Sequence, residues 1–461
     1  MLLGAYHDGI IIKNNTFTNT SKEAIISLGY KNCIIKNNTI SGCGAGIVFQ
    51  GFSTNTRYML SKVFDETVDY KGKNVHDVNT VISGNKISVV YRGAAEETVA
   101  IKLYGANIPN AYTSRNPSNG KVWGNIKAGN YYISNVTVTN NTIVTGGYGI
   151  HLSDAKKCIV NNNKITGSNF KIVKAYDGIY LSETANSTNL IGNKIYSMNG
   201  NGIHISVSSS IKGEMSGNIV SNVSQSALRI DGIKNNLLVK DNTFKNKSLN
   251  NSIVLLQTGA TSKYRITLTG NLVKGTTGKV KGIDIQSGRY TISDNIISTA
   301  KIGLYIVASG QGPGYGSLDK AVNQTKACYI YPNTYKSTLK KQIKIDSFGY
   351  DEEKNETIVK KPKYYANSKV SVKNVSSGSG TIKIDYKKSK DANGYEIEYS
   401  TKSSFAKNNT TVYASSNTLS KTLTGLTCNK TYYVRVRSYI KKNNNKIYSK
   451  YSDTVKIKTK N

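Results

Sequence analysis

Two histidines, a tyrosine and an arginine recur at similar intervals in the middle of the chain: His151, Tyr180, His204 and Arg229. Side chains of these types can exchange protons and hold a carboxylate. Removing the proton beside a sugar carboxylate requires a base, a cation that neutralises the carboxylate and a proton donor for the leaving oxygen. In such a reaction His151 or His204 is the base, Arg229 and Lys102 neutralise the charge, and Tyr180 is the acid.

Three acidic residues, Asp154, Asp177 and Glu183, lie near these positions in the sequence. Carboxylate oxygens are the ligands that Ca²⁺ prefers, so the sequence predicts Ca²⁺ as the one candidate cofactor. The alternative is structural, because Tyr, Arg and His on the outer face of a strand often stabilise cross-strand packing alone.

A repeat positions these side chains. Ten copies of the pattern apolar-x-apolar-x-x-Asn-x-apolar occur, centred on Asn15, Asn38, Asn85, Asn141, Asn163, Asn193, Asn218, Asn242, Asn271 and Asn295. Where no insertion intervenes, the asparagines are about 22 to 30 residues apart, which is the length of one coil of a solenoid. Each coil contains period-2 alternations typical of short strands. The sequence therefore predicts an all-β right-handed parallel β-helix over residues 1–306, with an asparagine ladder at one turn, where Asn tolerates unusual backbone angles.

The coil GIHLSDAKKCIVNNNKI, residues 149–165, resembles the β-helix repeats of the pectate lyase-like superfamily. The resemblance implies a substrate groove beside the first strands and an activity on polysaccharides. The superfamily also contains glycosidases, epimerases and non-catalytic surface proteins. This sequence lacks the paired-Asp and Gly-His-Gly motifs of polygalacturonases and the Asp-Pro-His-Glu motif of alginate epimerases, and its acidic residues lack the tight arrangement of pectate lyases.

The outward position of each first strand forms a predicted column: Ser27, Val48, Lys102, His151, Tyr180, His204, Arg229, Val254, Asp284 and Tyr305. Insertions over about 50–79 and 104–134 leave the same corner of consecutive coils, so we expect them to form one wall beside this column. The second insertion contains Arg115, Trp123 and Tyr132, and aromatic rings with a nearby cation suit sugars that carry carboxylates. Alternatively, Trp123 packs its own loop onto the coil.

Residues 307–364 are predicted to be a C-terminal cap and linker, and residues 365–461 a separate domain of period-2 strands at sandwich-like spacing. The string LTGLTCNKTYYVRVRSY resembles the corner and sixth strand of a fibronectin type III domain, an immunoglobulin-like β-sandwich. The resemblance implies that Tyr432 is the corner tyrosine, with Val434 and Val436 facing the core. Tyr386 stands where the family usually has tryptophan.

The net charge of +35 favours polyanionic partners such as uronic-acid polysaccharides, teichoic acids or nucleic acid. No nucleic-acid motif accompanies the charge, and solvated lysines on an extended surface are the alternative explanation. Five cysteines argue against a disulfide framework, and no transmembrane segment is predicted.

Two function classes remain open. The first is a monomeric extracellular bacterial protein that binds or degrades an anionic polysaccharide or cell-wall glycan, and the second is a non-catalytic adhesin or cell-wall-binding protein. We expect a secreted or cell-surface location. Because Met1 falls inside a coil, the export signal is expected in a preceding region.

Overall fold

The computed structural model divides the chain into two compact units, residues 1–328 with 333–362 and residues 329–332 with 363–461. The residues that the structure describes are 2–50, 79–90, 98–108, 112–115, 122–126, 129–131, 133–168, 175–182, 188–206, 213–233, 235–258, 264–276, 278–309, 329–331, 333–336, 339–348, 350–351, 356–357, 363–364, 369–389, 392–405, 409–442 and 445–461. Strands are numbered in chain order. Within these ranges no helix is long and apolar enough to cross a membrane.

Three parallel sheets build the first unit. The first sheet has the order β1 (Leu2–Asp8), β4 (Glu23–Lys31), β7 (Ala45–Gln50), β10 (Val99–Tyr104), β18 (Tyr148–Ser153), β22 (Ile179–Ser182), β25 (Ile203–Ile205), β28 (Leu228–Ile230), β31 (Val254–Gln257), β34 (Lys281–Ser287), β37 (Ile302–Ser309) and β40 (Lys341–Phe348). The second sheet runs through β2 (Ile11–Lys13), β5 (Ile34–Lys36), β8 (Val81–Ser83), β16 (Thr137–Thr139), β20 (Ile159–Asn161), β23 (Asn189–Ile191), β26 (Gly213–Ser216), β29 (Leu237–Lys240), β32 (Arg265–Thr269) and β35 (Arg289–Ser293). The third sheet contains β3 (Thr16–Thr18), β6 (Thr39–Cys43), β9 (Lys86–Val89), β17 (Thr142–Thr145), β21 (Lys164–Gly167), β24 (Lys194–Tyr196), β27 (Ile219–Val223), β30 (Thr243–Asn246), β33 (Leu272–Lys274), β36 (Ile296–Ser298) and β39 (Thr334–Tyr335).

Successive coils therefore pair in parallel, strand upon equivalent strand, as in β18 with β22 and β20 with β23. Ile150 and Leu152 are fully buried, as the alternation predicts for a strand with one inward face. The predicted parallel β-helix is confirmed, and it has three parallel sheets. Strands β39 and β40 pair with the preceding coil beyond residue 306, and the predicted domain boundaries at residues 306 and 364 stay predictions.

Short pairs outside the three sheets complete the first unit. The antiparallel pairs are β11 (Ala106–Ile108) with β14 (Gly129–Tyr131), β12 (Tyr112–Arg115) with β13 (Val122–Ile126), and β41 (Tyr350–Asp351) with β42 (Glu356–Thr357). One pair is parallel, β15 (Ile133–Ser134) with β19 (Ala155–Lys156). The predicted wall formed by the two insertions stays a prediction, since residues 51–78 lie outside the described ranges.

An asparagine ladder runs along the turn between the second and third sheets. Each side-chain Nδ2 donates to Oδ1 of the next asparagine at 2.9 to 3.2 Å, from Asn15 to Asn295 and on to Asn333. The same Oδ1 also accepts a backbone N–H, as Asn193 does from Asn163 at 3.1 Å. The ladder confirms the predicted repeat, and Asn333 adds a rung that the pattern missed because Tyr335 occupies its apolar position.

The unusual backbone angle lies one residue before each ladder asparagine. Asn14, Asn37, Gly84, Asn140, Asn162, Gly192, Gly217, Asp241, Gly270 and Asp294 all have positive φ. Asn, Asp and Gly are the residues that adopt this left-handed conformation at least cost. The expectation that the ladder asparagines themselves take it is wrong, because these residues supply the amide rungs instead.

Glycine opens several first-sheet strands because the third sheet lies close behind it. A Cβ at Gly178 would meet Ile195 Cγ2 at 2.5 Å, and one at Gly202 would meet Val220 Cγ1 at 2.1 Å. Cys33 and Cys158 are buried in the same core, and burial raises the pKa of the Cys158 thiol to about 11. Both are therefore core residues.

Two positions of the predicted first-sheet column differ from the prediction. Ile26, and not Ser27, pairs with Val48, and Leu255, and not Val254, pairs with Arg229. Ser27 and Val254 are fully buried. Ser27 is a polar residue that faces the core, and the run from Ile253 to Leu256 has apolar residues on both faces, so a one-residue shift of phase moved both assignments to the wrong face.

The second unit contains two antiparallel sheets around one core. One sheet has β44 (Val372–Gly378), β45 (Thr381–Tyr386) and β48 (Ser420–Leu423), and the other has β46 (Gly394–Ser400), β47 (Thr410–Ser415), β49 (Thr431–Lys442), β50 (Asn445–Tyr448) and β51 (Val455–Lys458). Strands β38 (Tyr329–Ile330) and β43 (Lys363–Tyr364) also pair. Ile382 and Ile384 of the first of these sheets share a core with Ile397, Val434 and Val436 of the other, an arrangement compatible with a β-sandwich.

Candidate functional site

Four predicted site residues occupy successive rungs on the outer face of the first sheet. His151 is paired with Tyr180, Tyr180 with His204, and His204 with Arg229. Lys102, on β10, is paired with His151, on β18. Equivalent atoms on neighbouring strands are about 4.8 Å apart, so the topology brings these five side chains into one line.

The rings of this line form a row, and Tyr148, at the start of β18, adds a ring that the sequence analysis did not identify. Its ring stacks on that of Tyr180 with centroids 5.3 Å apart and an interplanar angle of 16°. The rings of His151 and Tyr180 are 4.8 Å apart, and those of Tyr180 and His204 are 4.9 Å apart. Tyr148 and Tyr180 are half-buried, so the row combines packing with an accessible ring surface. We name these four rings the ring row.

His204 is held at both ring nitrogens. Nδ1 lies 2.8 Å from Asp177 Oδ2, and Nε2 lies 2.9 Å from Asp231 Oδ2. An ionised carboxylate only accepts hydrogen bonds, so when both carboxylates are ionised both nitrogens donate and the ring is an imidazolium. Burial lowers the pKa of a histidine, but the hydrogen bonds and charges of Asp177 and Asp231 outweigh it and raise the pKa of His204 above its ordinary value.

The two carboxylates are themselves fixed. Asp177 Oδ1 accepts the backbone N–H of Asn201 at 2.6 Å and its Nδ2 at 2.9 Å. Asp231 accepts Arg229 Nε at 2.9 and 3.0 Å. Burial raises the pKa of a carboxyl group, yet hydrogen bonds from His204 and Arg229 outweigh it and lower the pKa of Asp231. Asp177, His204, Asp231 and Arg229, the charge network, thus alternate in sign with no net charge.

His151 and Lys102 have different surroundings. His151 is 8% exposed, and its Nε2 lies 2.8 Å from Ser182 Oγ. The Nζ of Lys102 lies 4.8 Å from the centre of the Tyr104 ring, a cation–π distance. His151 Nε2 can therefore be the donor or the acceptor in this contact, because a hydroxyl group both donates and accepts.

The predicted Ca²⁺ ligands do not form one group among the described residues. Both oxygens of Asp177 serve Asn201 and His204, Asp154 is 7% exposed at a positive-φ position after β18, and Glu183 lies outside the described residues. Among the residues described, no three His, Cys, Asp or Glu side chains are grouped to hold a metal ion. The Ca²⁺ site stays a prediction.

The predicted substrate-binding residues of the second insertion are only partly described. Arg115 and Trp123 lie on the hairpin of β12 and β13, and their side chains are outside the described set, as is Tyr132. Sequence reasoning missed Asp231, which follows β28 directly. The string Arg-Ile-Asp at residues 229–231 is a signal for it, since residues i and i+2 of a strand share a face.

No curated protein matches the chain in sequence. The tailspike protein of E. coli bacteriophage HK620 in complex with a pentasaccharide is 9% identical with a TM-score of 0.37, over 99% of this chain and 81% of that chain. A double mutant of the same tailspike is 12% identical with a TM-score of 0.35, over 97% of this chain and 68% of that chain.

The crystal structure of the chicken CNTN1 FN1–FN3 domains is 22% identical with a TM-score of 0.18, over 22% of this chain and 34% of that chain. Among family models, the one described as "Right handed beta helix region" matches residues 177–334. This range includes Asp177, Tyr180, His204, Arg229 and Asp231. The site is therefore built on a right-handed parallel β-helix.

Proposed function

We propose that this protein binds an anionic polysaccharide along the outer face of the first sheet. The observation that carries the proposal is the ring row, which continues on the next rung into Arg229 of the charge network. Flat rings present apolar faces to sugar rings, and a guanidinium group matches the planar geometry of a carboxylate. An extended polymer can contact side chains on several successive rungs of this sheet.

Rigidity supports binding on this face. The ring of His204 is fixed at two nitrogens and Arg229 is fixed on Asp231, so these groups lose little conformational freedom when a ligand arrives. The Arg229 side chain is 36% exposed and the His204 side chain 15% exposed. Arg229 is thus the more accessible cation of the network.

Degradation of the polymer is a finer proposal on the same face. A lyase reaction would use His151 as base, Tyr180 as acid, and Arg229 with Lys102 as the groups that neutralise the sugar carboxylate. As an imidazolium, His204 has no lone pair with which to accept a proton, so in this state the base is His151. A pectate lyase-like activity on uronic-acid polymers remains the specific form of this proposal, with Ca²⁺ as its candidate cofactor.

A non-catalytic surface protein is the second candidate function. The observation that favours it is the doubly held His204, because a histidine between two ionised carboxylates orders a binding surface and does not exchange its protons readily. In this candidate the chain is an adhesin or cell-wall-binding protein. Both candidates place the protein outside the cell as a monomer, either secreted or on the cell surface.

We also propose that the second unit is a fibronectin type III domain that acts as a spacer. The hydroxyl group of Tyr432 accepts the backbone N–H of Thr427 at 3.1 Å, which is the contact expected of a corner tyrosine in this sandwich. Tyr386, in the position where the family usually has tryptophan, is fully buried.

The test uses the whole chain and calorimetric titration with oligogalacturonates and with a neutral glucan. We expect binding of the acidic oligomer, and a loss of about tenfold in affinity for Tyr180→Ala. The matched control is Tyr196→Ala, a half-buried tyrosine of the third sheet, which should change affinity less than about twofold. Equal losses of affinity in the two variants would contradict the assignment of the first sheet as the binding face. Ultraviolet absorbance of an unsaturated product, with and without Ca²⁺, separates a lyase from a binding protein.

A further inference from the structure

A cleft opens on the outer face of the first sheet, beyond Arg229 and away from His151. Leu255, Asp284, Tyr305 and Lys344 line it, and they continue the rungs of the column through β31, β34, β37 and β40. Its volume is about 490 Å³, which lies within the range of small-ligand sites, about 300–1,000 Å³. The outward column predicted from the sequence includes Asp284 and Tyr305, but no function was predicted for them.

The cleft is cationic. Lys279, Lys281, Lys301 and Lys344 line it against the single carboxylate of Asp284, so its net charge is +3. Lys279 and Lys301 are exposed. By contrast, the charge network around His204 has no net charge. An anionic group near the first sheet is therefore attracted more strongly to this cleft than to His204 and Arg229.

Asp284 positions one of these lysines. The carboxylate is 2% exposed, and its Oδ2 accepts Ser252 Oγ at 2.7 Å and Lys281 Nζ at 3.0 Å. Its Oδ1 is buried without a hydrogen-bond partner among the residues described. The wall of the cleft thus contains an ammonium group that a buried carboxylate fixes in place, and such a group can donate hydrogen bonds to an anion.

Tyr305 supplies a ring between two cations. Lys281 Nζ lies 3.8 Å from its ring centre, and Lys344 Nζ lies 5.4 Å from it. Because β34 and β40 are the neighbours of β37 on its two sides, the lysines come from the rungs before and after Tyr305. The ring is half-buried. It offers an apolar surface of the kind a sugar ring contacts, with positive charge at each side.

We infer that this cleft is the subsite that recognises the anionic group of the polysaccharide, with a sugar ring against Tyr305 and its carboxylate at Lys301 and Lys344. The inference rests on the proposed function. The ring row contacts the sugar rings along the polymer, and the cleft binds its anionic group. Asp284 and Lys281 are positioning residues that shape the site.

The experiment compares two lysine pairs of equal charge. Lys301→Gln/Lys344→Gln removes cations from the cleft, and Lys164→Gln/Lys194→Gln removes exposed cations from the third sheet. Calorimetric titrations use oligogalacturonate, the same oligomer with its carboxylates reduced to alcohols, and sulfated dextran, each at low and moderate salt. With oligogalacturonate we expect the cleft pair to lose at least about tenfold in affinity and the control pair less than about threefold.

The oligomer with reduced carboxylates tests whether the cleft lysines act through the anionic group. Both pairs should bind it equally, because the interaction that the cleft lysines make is with the carboxylate. A selective loss with sulfated dextran as well would assign the cleft to oxyanions of either kind, which supports the inference. Equal losses in both pairs, removed by moderate salt, would indicate diffuse attraction and overturn it. If the wild type binds with dependence on Tyr180 and the pairs do not differ, the inference alone fails. If the wild type binds no polymer, the proposed function fails.

Discussion

Replacing one buried rung of the asparagine ladder should destabilise the first unit by several kcal/mol. The side chain of Asn193 makes four hydrogen bonds: Oδ1 accepts from Asn163 N at 3.1 Å and Nδ2 at 3.0 Å, and Nδ2 donates to Val160 O at 2.8 Å and Asn218 Oδ1 at 3.0 Å. Each such bond contributes about 1 kcal/mol net. Asn193→Ala removes all four within a fully buried turn, so we expect a loss of about 4 kcal/mol.

Asn15 is the matched control, since it is the exposed first rung of the same ladder. Its Nδ2 donates to Lys13 O at 3.0 Å and Asn38 Oδ1 at 3.2 Å. Water can replace these contacts, so Asn15→Ala should cost less than about 1 kcal/mol. Urea unfolding followed by the fluorescence of Trp123, the one tryptophan of the chain, reports on the first unit alone. Equal shifts of the midpoint for the two variants would refute the view that buried amide bonds hold the coils in register.

Two further predictions concern the charge network and the second unit. The stabilisation that His204 contributes, measured as the difference in unfolding free energy from His204→Gln, should be complete below its ordinary pKa of 6.5 and should be lost as pH rises through the raised pKa of the folded state. That of Asp231, measured against Asp231→Asn, should be present above pH 3.8 and lost as pH falls through its lowered pKa, so a difference that grows at high pH for His204 or at low pH for Asp231 would contradict the network. Tyr432→Phe should destabilise the second unit by about 1–2 kcal/mol, because the backbone N–H of Thr427 loses its acceptor. Tyr433→Phe should have little effect. Both variants are compared with the wild type by urea unfolding followed by circular dichroism.

The fold was predictable because its signal is repeated. The residues three before and two after the ladder asparagines, such as Val160 and Ile165, are buried in the core, except that Phe17 and Tyr335 are half-buried. A periodic error-free pattern of this kind fixes the strands and their register together. The first-sheet strands lie outside this pattern, and their outward position was wrong at Ser27, a polar residue that faces the core, and at Val254, where apolar residues on both faces hide the phase of the strand.

The candidate site was predictable in its positions and less so in its chemistry. The sequence places His204 beside Tyr180 and Arg229, but it does not reveal that Asp177, 27 residues earlier, and Asp231, 27 residues later, bind the two nitrogens of its ring. Those contacts depend on how side chains at the ends of different strands turn toward one another. A histidine expected to be a base is consequently held between two carboxylates, which raise its pKa.

The position of a bound polymer tests the central claim most directly. Hydroxyl-radical footprinting of the whole chain, with and without saturating oligogalacturonate, measures the solvent access of individual tyrosines. We predict protection of Tyr148 and Tyr180 in the ring row and of Tyr305 in the cleft, with no change at Tyr196 of the third sheet or at Tyr413 of the second unit, which is 46% exposed. Protection of Tyr196 or Tyr413 in place of the first-sheet tyrosines would contradict the assignment of the glycan-binding face.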